Sequence, residues 1–266
     1  ILAGAVVPIF NLQSTEKDQD GKAIPIEELV LDRQTLADIY QAKVTKWNDP
    51  AIAKLNPAAK LPDSTITVIH RADSSGTTEI FTNALASFSA DWNDKVGAGS
   101  TVEWPVDKSG NGLGAKGNPG VAVAVQNTAN SIGYVELSYA IANNLPYAKL
   151  INKAGKTVVA NAASIQSDMA DFANAFDSRL NAKIVDGNGE GSWPITGYTY
   201  LIIRMESMKD CTKARKVIEF IRWGLTDERA AKIASDLGYA TLPKEVTDMV
   251  LSKLNAVTCN GKIVSQ

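Results

Sequence analysis

An arginine, an aspartate and a run of small hydroxyl and glycine residues stand together in Arg71-Ala-Asp73-Ser-Ser75-Gly76-Thr77. A guanidinium presents parallel N–H donors that match two oxygens of a phosphate or carboxylate. Ser75 is a residue type that caps helices, and Gly76 lets a backbone come close to another group. A helix starting here would aim unpaired N–H groups and its positive dipole end at one point. The pattern reads as a cradle for an oxyanion. It also reads as a plain capped turn with a structural Arg–Asp pair, and spacing alone does not choose between the two.

The flanking residues supply elements that could position such a turn. Thr65 to Ile69 is rich in β-branched residues and follows Pro62-Asp63-Ser64, as a short buried strand would. Beyond Gly76, Ile80, Phe81, Ala84, Leu85 and Phe88 recur at helical spacing. The remainder alternates in the same way. The opening Ile1 to Phe10 reads as a strand, and Asn11 to Pro25 as an exposed connection or hairpin tip. Helices are predicted over Asp32 to Gln41 with Thr35 as cap, and over Ala51 to Leu55 with Pro50 placed to start it. Others fall at Val121 to Gln126, Ser138 to Asn143, Ala162 to Phe176, Thr212 to Gly224, Thr226 to Leu237 and Lys244 to Leu254. Strands are predicted at Ser131 to Val135, from Trp193, and over Tyr198 to Arg204. The glycine-rich Asp107 to Gly120 is predicted as one loop, either lining a cleft or merely connecting. Short strands alternating with helices define an α/β chain.

Composition narrows the partners. The 266 residues are 45% hydrophobic and 21% charged, with a formal net charge of −2, which argues against nucleic acid or an acidic membrane surface. A few oriented amides and one arginine can still hold a small anion. No apolar run approaches the roughly 20 residues of a membrane span. The first ten residues have no basic flank, so they read as a strand entered mid-sequence and not as a signal peptide. With one histidine and two distant cysteines, neither a transition-metal site nor a bound cofactor is expected. His70 reads as a strand-flanking side chain and not as a catalytic base. Cys211 and Cys259 are either two buried thiols or, in an exported protein, a disulfide.

Several ordered motifs then carry a likeness. Lys46-Trp-Asn-Asp-Pro-Ala-Ile-Ala-Lys-Leu-Asn-Pro57, the Arg71–Thr77 turn, Gly117-Asn-Pro-Gly-Val121, Ser131-Ile-Gly-Tyr-Val-Glu136 and Trp193-Pro-Ile195 follow one another along nearly the whole chain. In this order they resemble the phosphate-binding proteins of bacterial high-affinity phosphate import, a periplasmic solute-binding family. The resemblance implies a two-lobed α/β fold of the type II solute-binding class that closes on a dehydrated phosphate ion. Residues 1–10 would cross between lobes, 11–195 would form the phosphate-loop lobe, and 196–266 would be the C-terminal part of the other lobe. Arg71 would donate to phosphate, Asp73 would orient it, and Ser75, Gly76 and Thr77 would add backbone and hydroxyl donors. The implied partners are inorganic phosphate and the membrane subunits of an ABC transporter. The implied protein is a periplasmic or extracellular monomer without enzymatic activity.

The same resemblance marks a departure. Family members carry, ahead of this chain's first residue, about half a lobe with a threonine loop, a serine loop and a second aspartate. One lobe is therefore expected to be incomplete, and phosphate binding by this chain alone to be weak, because water reaches an open site and screens it. Two other readings stay open. One is an extracellular phosphate-sensing or adhesion domain of a larger protein. The other is a phosphatase on the same fold, for which no activated nucleophile is recognisable.

Overall fold

The opening apolar run sets the architecture. In a computed structural model that describes residues 1–206 and 208–264, Leu2–Asn11 forms strand β1, buried from Ala3 to Phe10. Residues 207, 265 and 266, which fall in the expected last segment, lie outside that description. A strand with no polar alternation must be covered on both faces. The elements that cover it follow in order. They are β2 (Gln13–Lys17), β3 (Ala23–Pro25), β4 (Val30–Asp32), α1 (Arg33–Tyr40), α2 (Pro50–Ala53), β5 (Thr67–Arg71), α3 (Gly76–Phe88), α4 (Ala90–Lys95) and α5 (Pro105–Lys108). Next come β6 (Gly112–Ala115), α6 (Gly117–Asn127), β7 (Ser131–Glu136), α7 (Leu137–Ala142), β8 (Lys149–Ile151), β9 (Thr157–Val158) and α8 (Ala162–Asp171). The last are β10 (Thr196–Thr199), α9 (Cys211–Thr226), α10 (Glu228–Asp236), β11 (Ala240–Thr241), α11 (Lys244–Asn255), β12 (Thr258–Cys259) and β13 (Lys262–Ile263).

The two halves of β1 pair differently. Leu2–Ala5 runs antiparallel to β10, with β11 on its other edge at Leu2 and Ala3. From Val6 to Asn11 the strand runs antiparallel to β7. Beyond β7 lie β5 and β6, all three mutually parallel. One strand thus leaves one sheet and enters another between Ala5 and Val6, in a two-lobed α/β arrangement. The large core spans β1, β5, β7 and the helices around them, with Trp47, Trp92 and Trp193 fully buried. A second, small core joins α9 and α11 through Ala214, Ile218, Ile221, Leu254 and Val257. Cys211 and Cys259 form a disulfide at its edge. No described helix is long and apolar enough to cross a membrane.

Several expectations are corrected. The cap of α1 is Asp32, whose carboxylate accepts the Thr35 N–H; Thr35 itself is buried in the first turn. The glycine-rich stretch is not one loop, because it holds β6 and the start of α6. Its glycines admit close neighbours: a Cβ on Gly112 would fall 2.0 Å from the Asp107 carboxylate. Helix α8 stops at Asp171 instead of reaching Phe176. There the Asp171 carboxylate turns to accept the Gly189 N–H and the Ser192 hydroxyl. The strand ends at Thr199, and Tyr200 to Arg204 pairs with no described strand, leaving Ile202 99% exposed. His70 lies within β5, buried, stacked on Trp104 and 2.8 Å from Asp107 through Nε2.

One buried acid has a pH signature. Asp168 on α8 is fully buried and accepts the Gly187 N–H at 3.0 Å, while its Oδ2 has no partner among the described residues. Burial, reinforced by Asp171 and Asp186, pushes its carboxyl up to about 8. The native state therefore holds a proton that the unfolded chain releases near pH 4, so stability falls as pH rises through that interval. Asp168→Asn keeps the shape and removes the titration. Its thermal stability should exceed wild type at pH 8.5 by more than ~1.4 kcal/mol, the equivalent of one unit, and match it near pH 4. Parallel melting curves for the two proteins across this range would contradict the assignment.

Candidate functional site

Because β5, β6 and β7 are parallel, the turn after β5 lies at their shared C-terminal edge, where open α/β sheets place their ligands. Arg71 is the last residue of β5. Helix α3 starts at Gly76 because Ser75, with extended backbone, accepts the Thr78 N–H on its Oγ at 3.2 Å. Beneath the turn sits an aromatic floor. Tyr134 stacks on Phe81 at 4.3 Å and its hydroxyl meets both the Arg71 N–H (3.2 Å) and the Thr78 hydroxyl (2.7 Å). Burial pushes the Tyr134 phenol up to about 12, so the hydroxyl stays protonated and can serve both partners.

The guanidinium is pinned. Its Nε and Nη2 donate to the two Asp73 oxygens at 2.8 and 2.6 Å, and Nη1 donates to Asn118 Oδ1 at 3.3 Å. The Arg71 side chain is only 9% exposed. Asp73 Oδ1 also accepts the Gly117 N–H at 3.0 Å, at the start of α6. The Arg71 hydrogen bond, then the Gly117 amide, hold the Asp73 carboxyl well below the usual carboxylate range. The same bond raises Arg71 above its ordinary value. Gly117 makes this turn with φ +70°, a conformation glycine adopts freely.

All five residues singled out in the turn come together, with differences in what each can offer. Gly76 and Thr77 open α3, and their N–H groups meet no acceptor among the described residues. The Ser75 N–H is occupied by the Ser100 carbonyl at 3.0 Å, so Ser75 has only its hydroxyl hydrogen to give. Asp73 turns both oxygens to Arg71, the geometry of a carboxylate that steadies the arginine. Among the described residues no group of three or more His, Cys, Asp or Glu is placed to hold a metal ion. Three contributors escaped the residue-by-residue reading: Tyr134, Ser100 and Asn118. Asn118 was visible only as part of Gly117-Asn-Pro-Gly, without a role.

Comparisons with known proteins agree with this geometry. Residues 1–228 match the PBP superfamily domain. The phosphate-binding protein PstS of Xylella fastidiosa is 41% identical over 93% of this chain, which spans 63% of that protein. PstS of Pasteurella multocida is 40% identical over the whole chain, which spans 73% of it. Among solved structures, a high-affinity periplasmic phosphate-binding protein (PfluDING) bound with phosphate superposes with a TM-score of 0.67 at 19% identity, covering 94% of this chain and 69% of that one. At such identity the likeness is one of fold. The chain thus spans less than two thirds of the Xylella relative, yet motif order, identity and fold agree: it belongs to the PBP superfamily and, within it, to the PstS phosphate-binding proteins.

Proposed function

We propose that this protein captures inorganic phosphate and hands it to an ABC transporter, working in the periplasm or outside the cell. The observation that carries the reading is the turn itself. A guanidinium clamped by Asp73 belongs to the same turn as the N–H groups of Gly76 and Thr77, which meet no acceptor among the described residues, and donors of these kinds suit an oxyanion. Residues 11–195 act as the lobe that carries the turn, and 196–266, joined to it through β1, as the C-terminal part of the lobe that closes on it. The contacts favour a carrier over a phosphatase. Ser75 Oγ accepts the Thr78 N–H and Thr77 Oγ1 accepts from Asn118, and among the described residues neither hydroxyl donates to a side chain that could act as its base.

The test is a titration followed by amide NMR. Inorganic phosphate, raised to about 10 mM so that even millimolar affinity registers, should shift the Gly76 and Thr77 amides saturably. Sulfate carries no proton to donate and should compete poorly where the site has an acceptor for one. In Asp73→Asn, affinity should fall for both anions alike, as expected of a residue that steadies Arg71. A selective gain for sulfate would place Asp73 against the ligand instead. Amides that ignore phosphate throughout would remove the proposed function.

A further inference from the structure

Asn118, second residue of α6, makes two hydrogen bonds of opposite sense. Its Oδ1 accepts from Arg71 Nη1 at 3.3 Å, and its Nδ2 donates to Thr77 Oγ1 at 3.4 Å. Chemistry fixes this orientation. A guanidinium has only donors, so the amide oxygen must face it, and the NH2 end then falls on the threonine. The Asp73–Gly117 bond anchors the turn that sets Asn118 in place. Arg71, Asp73, Gly117 and Asn118 therefore form a closed circuit of contacts, to which Thr77 is attached through Asn118. A hydroxyl that already accepts a hydrogen bond has its single hydrogen left to give.

We propose that Asn118 is a positioning residue that, by donating to Thr77 Oγ1, keeps that hydroxyl's hydrogen turned toward the bound anion, so that the site favours the more deprotonated form of phosphate. This rests on the phosphate-binding reading above. The charged and titratable groups facing this circuit are Arg71 from β5, Asp73 from its turn, Tyr134 from β7 and Tyr139 from α7. Arg71 and Asp73 reinforce one another's charges, and His70 of β5, whose Nδ1 lies 3.1 Å from the Arg71 carbonyl, is common to every variant compared, so a difference between variants across pH 5.5 to 8.5 reports the ligand.

Asn118→Asp replaces the donor with an acceptor of the same shape. The Thr77 hydrogen then turns to that carboxylate, leaving lone pairs toward the ligand. Affinity for inorganic phosphate should fall at least ~30-fold at pH 8.5 but only ~3-fold at pH 5.5, where phosphate carries a further proton. Added negative charge alone also tilts binding toward acid, so the decisive comparison is made in the Thr77→Val background. With no hydroxyl to reorient, N118D should there show a tilt smaller by about fivefold or more. An equal tilt in both backgrounds overturns the proposal while leaving phosphate binding intact. Asn118→Ala breaks both bonds without adding charge and should lose about tenfold at pH 8.5 and less at pH 5.5. Wild-type affinity in that variant also overturns the role. Absence of any phosphate response in the wild type overturns the function and this inference together.

Discussion

In a protein that also carries the half-lobe implied by the resemblance, Arg71→Ala is expected to weaken phosphate binding by about 2–5 kcal/mol, roughly 30- to 5,000-fold, the range for stripping one partner from a desolvated charge pair. Two effects act with the same sign. The anion loses its only fork of donors in the turn, and Asp73 loses the partner that occupies both its oxygens. The released carboxylate then faces the seat of an anion and repels it. Asp73→Asn in the alanine background should therefore recover part of the loss. Arg71→Lys should fall between, because a point charge cannot hold both Asp73 oxygens while meeting a ligand. The depressed Asp73 carboxyl contributes above the ordinary carboxylate range and is lost only as pH falls below it. The Arg71–Asp73 pair therefore adds no pH dependence to the Arg71→Ala deficit between pH 5 and 8, and any rise across that interval follows the second ionisation of phosphate. Unchanged phosphate-induced shifts at Gly76 and Thr77 in this variant would take Arg71 out of the site.

The second large effect concerns stability. Cys211 and Cys259 lie 48 residues apart in sequence, and the chain-entropy model assigns about 4 kcal/mol to closing a loop of that size. The core they border is small, so few apolar contacts stand in for the bridge. In the double variant Cys211→Ser/Cys259→Ser, amides of α9 and α11 should exchange at least ~100-fold faster, while those of β5 and β7 in the large core keep their protection. Exchange in α9 as slow as wild type would show that the bridge adds nothing to its stability. An equal acceleration in β5 would show that the two cores unfold as one unit.

Much of the site was legible because its information is local. Ser75 and Gly76 announce a capped helix start by residue type, and the change from β-branched residues to helical spacing brackets the turn. What escaped was set by neighbours distant in sequence. Nothing near Ser75 announces that the Ser100 carbonyl takes its N–H. Nothing near Asn118 announces that β6 brings α6 alongside the Arg71 turn. Strand β6 itself, Gly112-Leu-Gly-Ala115, has the composition of a loop, and its glycines serve contact with Asp107 and Ala72. Tyr200 to Arg204 shows the reverse error. Its apolar residues have the propensity of a strand, but propensity becomes a strand only where a partner edge exists.

The shared strand also governs how the chain must be assembled. When the polypeptide is delivered N-terminus first, β1 emerges well before the described strands that pair with it, since β7 begins only at Ser131 and β10 at Thr196. Until then Leu-Ala-Gly-Ala-Val-Val-Pro-Ile-Phe is an uncharged, β-prone segment in water, the kind that stacks with copies of itself. Pro8 interrupts it. Lacking an amide hydrogen, Pro8 leaves a gap in any ladder built by identical segments, yet it costs little opposite Tyr134 in the finished sheet. The residue thereby serves as a brake on self-association during the long wait for a partner.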